Sequence, residues 1–372
     1  MLKEIGLITY HAAYNYGSVL QAWATQCKVE QLGYKCKIIN YRMKTQKEHY
    51  SMIRFTGPRA FINDAFMLTV WKKKKLRAER FENFIKVNMN LTEEKNKPED
   101  INFNDDFSII ISGSDQIWNK YSNELRKVDW KYMQPYLLKG FKGKKISYAS
   151  SISNMKNDDI MKIIDEIKEF DYLSFREKKS ANLISIMTDR DVSTVLDPTF
   201  LLDRNQWISS FDLQEKNEEK YVLFYSLTDK GVIKKAINLL NKFRENGYKI
   251  KYITPYAKLK FMEEYEDCRD YGPVEFLDAI YNADTIVTDS YHGTILSINL
   301  QKEFYSINGN YESDMRKLDI LSKLKLERRI INWNTTFEML KTDAIDYIEV
   351  GEKIEKLRKE SCDYLIEALS SK

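Results

Sequence analysis

The sequence predicts an α/β protein built as two Rossmann-like domains facing each other across a cleft. Three observations carry that reading. Short hydrophobic runs alternate with helical patterns from the first residues to about position 308, as buried strands of a parallel sheet do. The alternation breaks in the polar stretch "LLDRNQWISSFDLQEKNEEK", 201–220, and then resumes. At 372 residues the chain is also too long for one comfortable hydrophobic core. The crevice between two such domains is the default ligand site.

The first series opens with a strand at Ile5 to Tyr10 and a helix from about Ser18 to Leu32. Gly33 stops that helix, and "KCKIINY", 35–41, supplies the next strand. "FSIIISGSDQIWN", 107–119, drives a strand into a Gly-Ser-Asp loop, and "KKISYAS", "DYLSFRE" and "STVLDPTF" complete the series. The second series runs through "YVLFYSL", a helix over about 231–245, "YKIKYIT", the short helix "PVEFLDAIYNA", "DTIVTD" and "KEFYSIN". The expected domains are 1–205, with a charged insertion near 42–100, and 206–345. A final amphipathic helix, 346–372, packs back on the body. Its apolar face carries Ile354, Leu357, Tyr364, Leu365, Ala368 and Leu369.

Composition excludes several classes. Hydrophobic residues make up 43% and charged residues 31%, so long disorder is not expected. The net charge of +4 does not mark a nucleic-acid binder. No window approaches the roughly 18 apolar residues of a membrane span. The start, "MLKEIGLITYHAAYNYG", reads as a strand rather than an export signal, and the expected location is the cytoplasm. Four cysteines, at 27, 36, 268 and 362, and three histidines have no metal-cluster spacing. Buried thiols are the simplest reading of Cys27 and Cys362. One basic patch stands out in "VWKKKKLRAERFENFI", 70–85, where Phe81, Phe84 and Ile85 share a face and Lys72 to Lys75, Arg77 and Arg80 lie outside it. It reads either as a solvated helix or as a contact for an anionic membrane surface.

Four joints between strand and helix can carry chemistry. In "HAAYNYGSVLQAW", Gly17 and Ser18 open a helix whose amides can hold an anion, and Asn15 offers a donor and an acceptor. A tight turn with capping is the alternative. In "SGSDQIWN", Gly113 permits a sharp turn into Asp115, whose carboxylate can take a proton from a sugar hydroxyl; capping by Ser114 or Asp115 competes. In "SFREKKS", Arg176 can fork onto phosphate or carboxylate, or form a surface ion pair. In "IVTDSYHGTILSINL", Asp289 and Ser290 end a strand, His292 follows, and Gly293-Thr294 starts a helix. A bound dianion there would hold the imidazole protonated, ready to act as an acid; a histidine that merely bonds a neighbouring loop is the alternative. His11 is expected near the same crevice and His49 on the surface.

Together these joints resemble the polysaccharide pyruvyl transferase family. The matching pieces are "YNYGSVLQAWATQ", "ISGSDQIWN", "LSFREKKS", "VLDPTFLLDRNQW", "GPVEFLDAIYNADTIVTDSYHGTILSINLQKEF" and "RKLDILSKLKLERR", in order over roughly 5–330. The resemblance implies a fold similar to the two-domain GT-B glycosyltransferases. It also implies transfer from phosphoenolpyruvate, forming a pyruvate ketal across two sugar hydroxyls in surface polysaccharide synthesis. By the same resemblance His292 is the catalytic acid; the carboxylate of Asp115 fits the aiding of hydroxyl attack in that chemistry. Arg176 and Arg316 grasp phosphate or carboxylate, and the helix starts at Gly17-Ser18 and Gly293-Thr294 add anion contacts. No cofactor or metal is expected beyond the donor substrate. The expected acceptor is a galactose- or mannose-type unit with free 4- and 6-hydroxyls, with a lipid-linked repeat unit as one form, and residues 42–100 are the place for acceptor preference.

Two alternatives stay open at this level. One is a GT-B-like glycosyltransferase with a nucleotide-sugar donor, for which Glu275 is the candidate ribose ligand, although it reads more simply as part of a helix cap. The other is a non-catalytic carbohydrate-binding relative. Oligomeric state is not encoded in any motif.

Overall fold

A computed structural model describes residues 4–43, 64–103, 107–216, 219–228, 230–255, 262–309, 314–340 and 343–371. His49 and the first part of the charged insertion lie outside the described residues. The chain divides into two compact units.

In the first unit, β1 (Glu4–Ile8) runs into α1 (Tyr16–Gln31), which returns to β2 (Lys35–Ile38). Helix α1 is buried along most of its length, so it is a core helix rather than an amphipathic one. Gly33, at φ +89°, reverses the chain after it in a region closed to most side chains. Helix α2 (Asp64–Asn88) follows the insertion, and residues beyond it pair along β2 through the Ile38–Leu91 and Tyr41–Lys95 bridges. Strands β3 (Ile109–Ser112) and β4 (Lys144–Ser147) complete a parallel sheet of order β2-β1-β3-β4. A short parallel pair, β5 (Ser174–Phe175) and β6 (Ser193–Thr194), flanks α3 (Lys178–Thr188); single bridges connect β4 and its following loop to residues 172 and 175. Fully buried Trp118 packs edge-on to Phe170 and Phe175, and its indole N–H donates to the Tyr136 carbonyl at 2.9 Å.

In the second unit, α4 (Arg204–Phe211) precedes β7 (Tyr221–Tyr225), and α5 (Ile237–Glu245) leads to β8 (Lys249–Ile253) and β9 (Glu266–Asp267). The expected helix over 231–245 is divided into Lys230–Ile233, a tight 3₁₀ turn at Lys234–Ala236, and α5. Helix α6 (Pro273–Asn282) feeds β10 (Thr285–Thr288), then come α7 (Tyr291–Asn299), β11 (Glu303–Asn308), α8 (Asp314–Lys323), β12 (Ile330–Asn332) and α9 (Tyr347–Ser370). The sheet is wholly parallel, in the order β12-β11-β10-β7-β8-β9.

The units do not divide at one point near 205. Residues of α2 up to Phe84 group with the second unit, and those from Ile85 with the first. Side-chain bonding explains this: Lys73 and Arg80 bond Asp270, whereas Asn90 bonds Gln26 and Cys36. Helix α9 divides likewise at Ile354, because Arg358, Ser361 and Tyr364 bond Phe200, Leu196 and Ser147. Cys27 and Cys362 are part-exposed rather than buried, and all four cysteines are free thiols.

Each sheet has one place where strand order reverses. In the first unit it lies between β1 and β3, and in the second between β7 and β10. Loops leaving the carboxyl ends of such strand pairs diverge and leave a crevice, the usual ligand position of open α/β sheets.

Candidate active site

In the first unit the reversal brings together the loops after β1 and β3. Asn15 caps α1, its side-chain oxygen accepting from the Gly17 amide at 3.0 Å. The Ser18 hydroxyl donates to Asp115 Oδ2 at 2.6 Å, and the Gln116 amide donates to Oδ1 at 2.8 Å. Gly113 has φ +132°, and a Cβ there would sit 2.1 Å from the Tyr148 carbonyl oxygen, so only glycine fits this turn. Asp115 follows at φ 74°, and no helix starts behind it, so the helix-capping alternative has nothing to cap. Asn15, Gly17, Ser18 and Asp115 thus form one cluster. The Gly17 amide and Ser18 hydroxyl already bond protein groups, which favours the tight-turn reading of Gly17 over an anion contact.

Gln21 ties this cluster together and was not singled out in the sequence. Its amide nitrogen donates to Thr9 Oγ1 and the Ser18 carbonyl, while its oxygen accepts from the Ser114 amide. Thr9 in turn donates to the Ser114 carbonyl. The signal that could have revealed Gln21 is its place one turn after Ser18, between the apolar Leu20 and Ala22-Trp23 of the same helix.

Arg176 is 4% exposed and donates through Nη1 to Asp197 Oδ2 at 2.8 Å, with Glu177 3.4 Å from Nε. The ion pair is buried rather than on the surface. Asp197 also accepts from the Thr199 amide and hydroxyl, so the cluster clamps the corner between β5 and the turn at Pro198. His11 is equally enclosed, 3.0 Å from Asn40 Oδ1.

In the second unit the reversal holds His292. Helix α7 begins at Tyr291, earlier than the sequence indicates, and Ser290 is its cap, accepting from the Gly293 amide at 3.3 Å. His292 therefore occupies the first helical turn and is 8% exposed. Its ring meets that of Tyr291 edge-on at 5.2 Å, and the Arg316 guanidinium lies 5.5 Å from the Tyr291 ring centre. Ser290, His292, Gly293 and Arg316 thus share one end of the sheet. The Thr294 hydroxyl donates to the Ser290 carbonyl and lies 3.0 Å from Ser306 Oγ, and its amide bonds the same carbonyl. Gly293 and Thr294 consequently hold the turn in shape.

Asp289 closes the arrangement. Its carboxylate accepts from Ser226 Oγ at 2.7 Å, the Leu227 amide at 2.9 Å and the Thr228 amide at 3.2 Å. Burial raises its carboxyl above the ordinary range, against those donors and the Lys317 ammonium, which lower it. Lys317, 1% exposed, escaped the sequence reading because a lysine beside Arg316 reads as surface.

Two other expectations meet specific partners. Glu275 accepts from the Gly272 amide at 3.1 Å and pairs with Arg80 at 3.0 Å, the geometry of a helix-capping residue. On α2, Phe81, Phe84 and Ile85 are buried as expected, whereas Lys73 turns toward Asp267 and Asp270 instead of standing outside with its neighbours. Among the described residues, no three His, Cys, Asp or Glu side chains are grouped to hold a metal ion, and no helix is long and apolar enough to cross a membrane.

No curated protein matches the sequence. Solved structures do match in fold. Arabidopsis thaliana UGT89C1 is similar with a TM-score of 0.51 at 10% identity, over 98% of this chain and 99% of that one. A Listeria monocytogenes protein assigned as a UDP-N-acetylglucosamine 2-epimerase is similar with a TM-score of 0.50 at 8% identity, over 99% and 91%. These likenesses show a GT-B-like architecture of two Rossmann-like domains and nothing of the substrate. The family model for polysaccharide pyruvyl transferase matches residues 15–311, a span that runs from the cap of α1 past His292. The chain belongs to the polysaccharide pyruvyl transferase family, enzymes that use phosphoenolpyruvate to form a pyruvate ketal on a polysaccharide.

Proposed function

We propose that His292 delivers the proton that starts pyruvyl transfer, and that the acceptor is a galactose- or mannose-type unit with free 4- and 6-hydroxyls. The observation carrying this reading is the position of His292 in the first turn of a Ser290-capped helix, where the second sheet reverses its order. Protonation of C3 makes C2 of the donor electrophilic. One hydroxyl attacks C2, the C2–O bond to phosphate breaks, and the second hydroxyl closes the ketal. The two hydroxyl protons balance the one gained by the new methyl group and the one carried off by phosphate.

Asp115 takes the proton of the first hydroxyl, with Ser18 holding the carboxylate in place and Asn15 beside it. Arg316 faces the donor's phosphate or carboxylate. Arg176 has a buried carboxylate partner and maintains the β5 corner, so it is the weaker donor contact. Electrostatic groups of this kind act chiefly on the charge that develops at the leaving oxygen.

The enzyme meets a lipid-linked acceptor at the inner face of a membrane, working from the cytoplasm. Helix α2 supports that part: Trp71 and Leu76 are exposed beside exposed Lys72 and Lys75, a mixture suited to an anionic interface. The test is phosphate release from phosphoenolpyruvate with methyl β-galactoside, methyl α-mannoside or a lipid-linked repeat unit. Release stimulated by a hexoside supports the acceptor class. Stimulation by none of them while phosphoenolpyruvate binds would overturn it.

A further inference from the structure

The turn that leads into His292 is also bonded from outside its own helix. Three neighbouring strands of the second sheet, β7, β10 and β11, end side by side. Asp289, the first residue beyond β10, bonds in two directions. Its side chain takes three donors from residues 226–228, the loop after β7. Its carbonyl accepts from Lys317 Nζ at 3.0 Å, and the same ammonium donates to the Ile307 carbonyl near the end of β11. The backbone just before His292 is thereby tied to both flanking strands. Burying an ammonium is costly unless good acceptors meet it, and here it meets backbone carbonyls at two strand ends.

We infer that Asp289 and Lys317 are positioning residues for His292, fixing the turn from which the imidazole projects. The inference rests on the reading of His292 as the acid for its catalytic consequence, but not for its geometric one. Loss of either anchor lets the turn move, and the imidazole with it, while the helix and its Ser290 cap stay formed. A displacement of about 1 Å at a reacting group can cost about a hundredfold in rate. Because the anchors act through His292, substrate affinity should change little.

The test uses the full chain with its three histidine rings isotope-labelled, read by NMR, in Lys317→Met and Asp289→Asn; His292→Ala assigns the signal. Both substitutions should move or broaden the His292 resonance and leave His11 unchanged. Lys317→Arg, which keeps the charge, should restore it in part. In turnover with phosphoenolpyruvate and methyl β-galactoside, kcat should fall about tenfold to a hundredfold, with KM for phosphoenolpyruvate within about threefold. Neither change should reduce turnover further when His292→Ala is already present. An unmoved His292 resonance in both variants overturns the inference, as does an equal further loss in the His292→Ala background. If Lys317→Met fails to fold, Asp289→Asn, nearly the same shape, carries the test. A His292→Ala enzyme with normal turnover would instead refute the acid role, while the resonance shift would still report the anchoring.

Discussion

Ser18 and Asp115, separated by 97 positions in the chain, meet in a 2.6 Å hydrogen bond where the first sheet reverses its strand order. The bond aims one carboxylate oxygen and leaves the aspartate in an uncommon left-handed backbone conformation. Such conformations persist only where neighbours enforce them. Here the Gly113 turn and the Gln21 bonds do so.

Asp115→Asn keeps the shape of that contact and removes its basicity. We expect kcat to fall about a hundredfold, within the usual range for losing a general base. Thermal melting should stay near that of the parent. Ser18→Ala should cost about tenfold through loss of orientation alone. Steady-state phosphate release measures both, and an unchanged rate in Asp115→Asn would remove the residue from the chemistry.

Arg176→Ala leaves Asp197 buried without its guanidinium. Breaking a buried pair in this way should lower unfolding free energy by about 3–5 kcal/mol. Denaturant titration reads the change directly. Unaltered stability with a raised KM for phosphoenolpyruvate would place Arg176 on the donor instead.

Gly293→Ala tests the close approach of α7 to the sheet. A Cβ there would stand 2.5 Å from Thr288 Oγ1 and 2.9 Å from Tyr225 Cδ1. Thr288 Oγ1 cannot withdraw without losing its bond from the Ser290 amide. Overpacking should cost about 1–3 kcal/mol and shift the His292 turn. A variant with parental melting temperature and kcat would show that the contact is slack.

Asp267 gives a pH dependence of known sign. Burial alone would raise its carboxyl, but bonds from Arg269, at 2.8 and 2.7 Å, and the charge of Lys73 bring it below the ordinary value. The stabilisation is present above the unfolded value of about 3.9 and is lost as pH falls through the lower folded value. Arg269→Gln should therefore reduce stability near neutrality and flatten the acid limb. Melting curves recorded across the acid range would contradict this if the two proteins kept a constant difference.

Much of the fold is legible because it is written locally. The runs at Ile109–Ser112 and Thr285–Thr288 are short, apolar and followed by small polar residues, so strand ends and turn chemistry coincide in the sequence. His292 could be picked out for that reason. Lys317 could not, because its carbonyl partners lie on separate strand ends and a lysine ordinarily faces water. The partnership of Arg176 with Asp197 is hidden in the same way, since nothing local distinguishes a buried guanidinium from a surface one. Lys73 shows the reverse error: four consecutive lysines look equivalent until the 267–270 turn engages one of them. The fracture of the 230–245 helix has no glycine or proline at the break to announce it.

Calorimetric titration of the full chain with phosphoenolpyruvate and a set of nucleotide sugars, followed by turnover of parent and His292→Ala, tests the account most directly. Saturable binding of phosphoenolpyruvate by both proteins is expected, with none of the nucleotide sugars bound. Phosphate release with an acceptor should then fall by orders of magnitude in His292→Ala. Binding of a nucleotide sugar in place of phosphoenolpyruvate, or near-parental turnover without the imidazole, would contradict it.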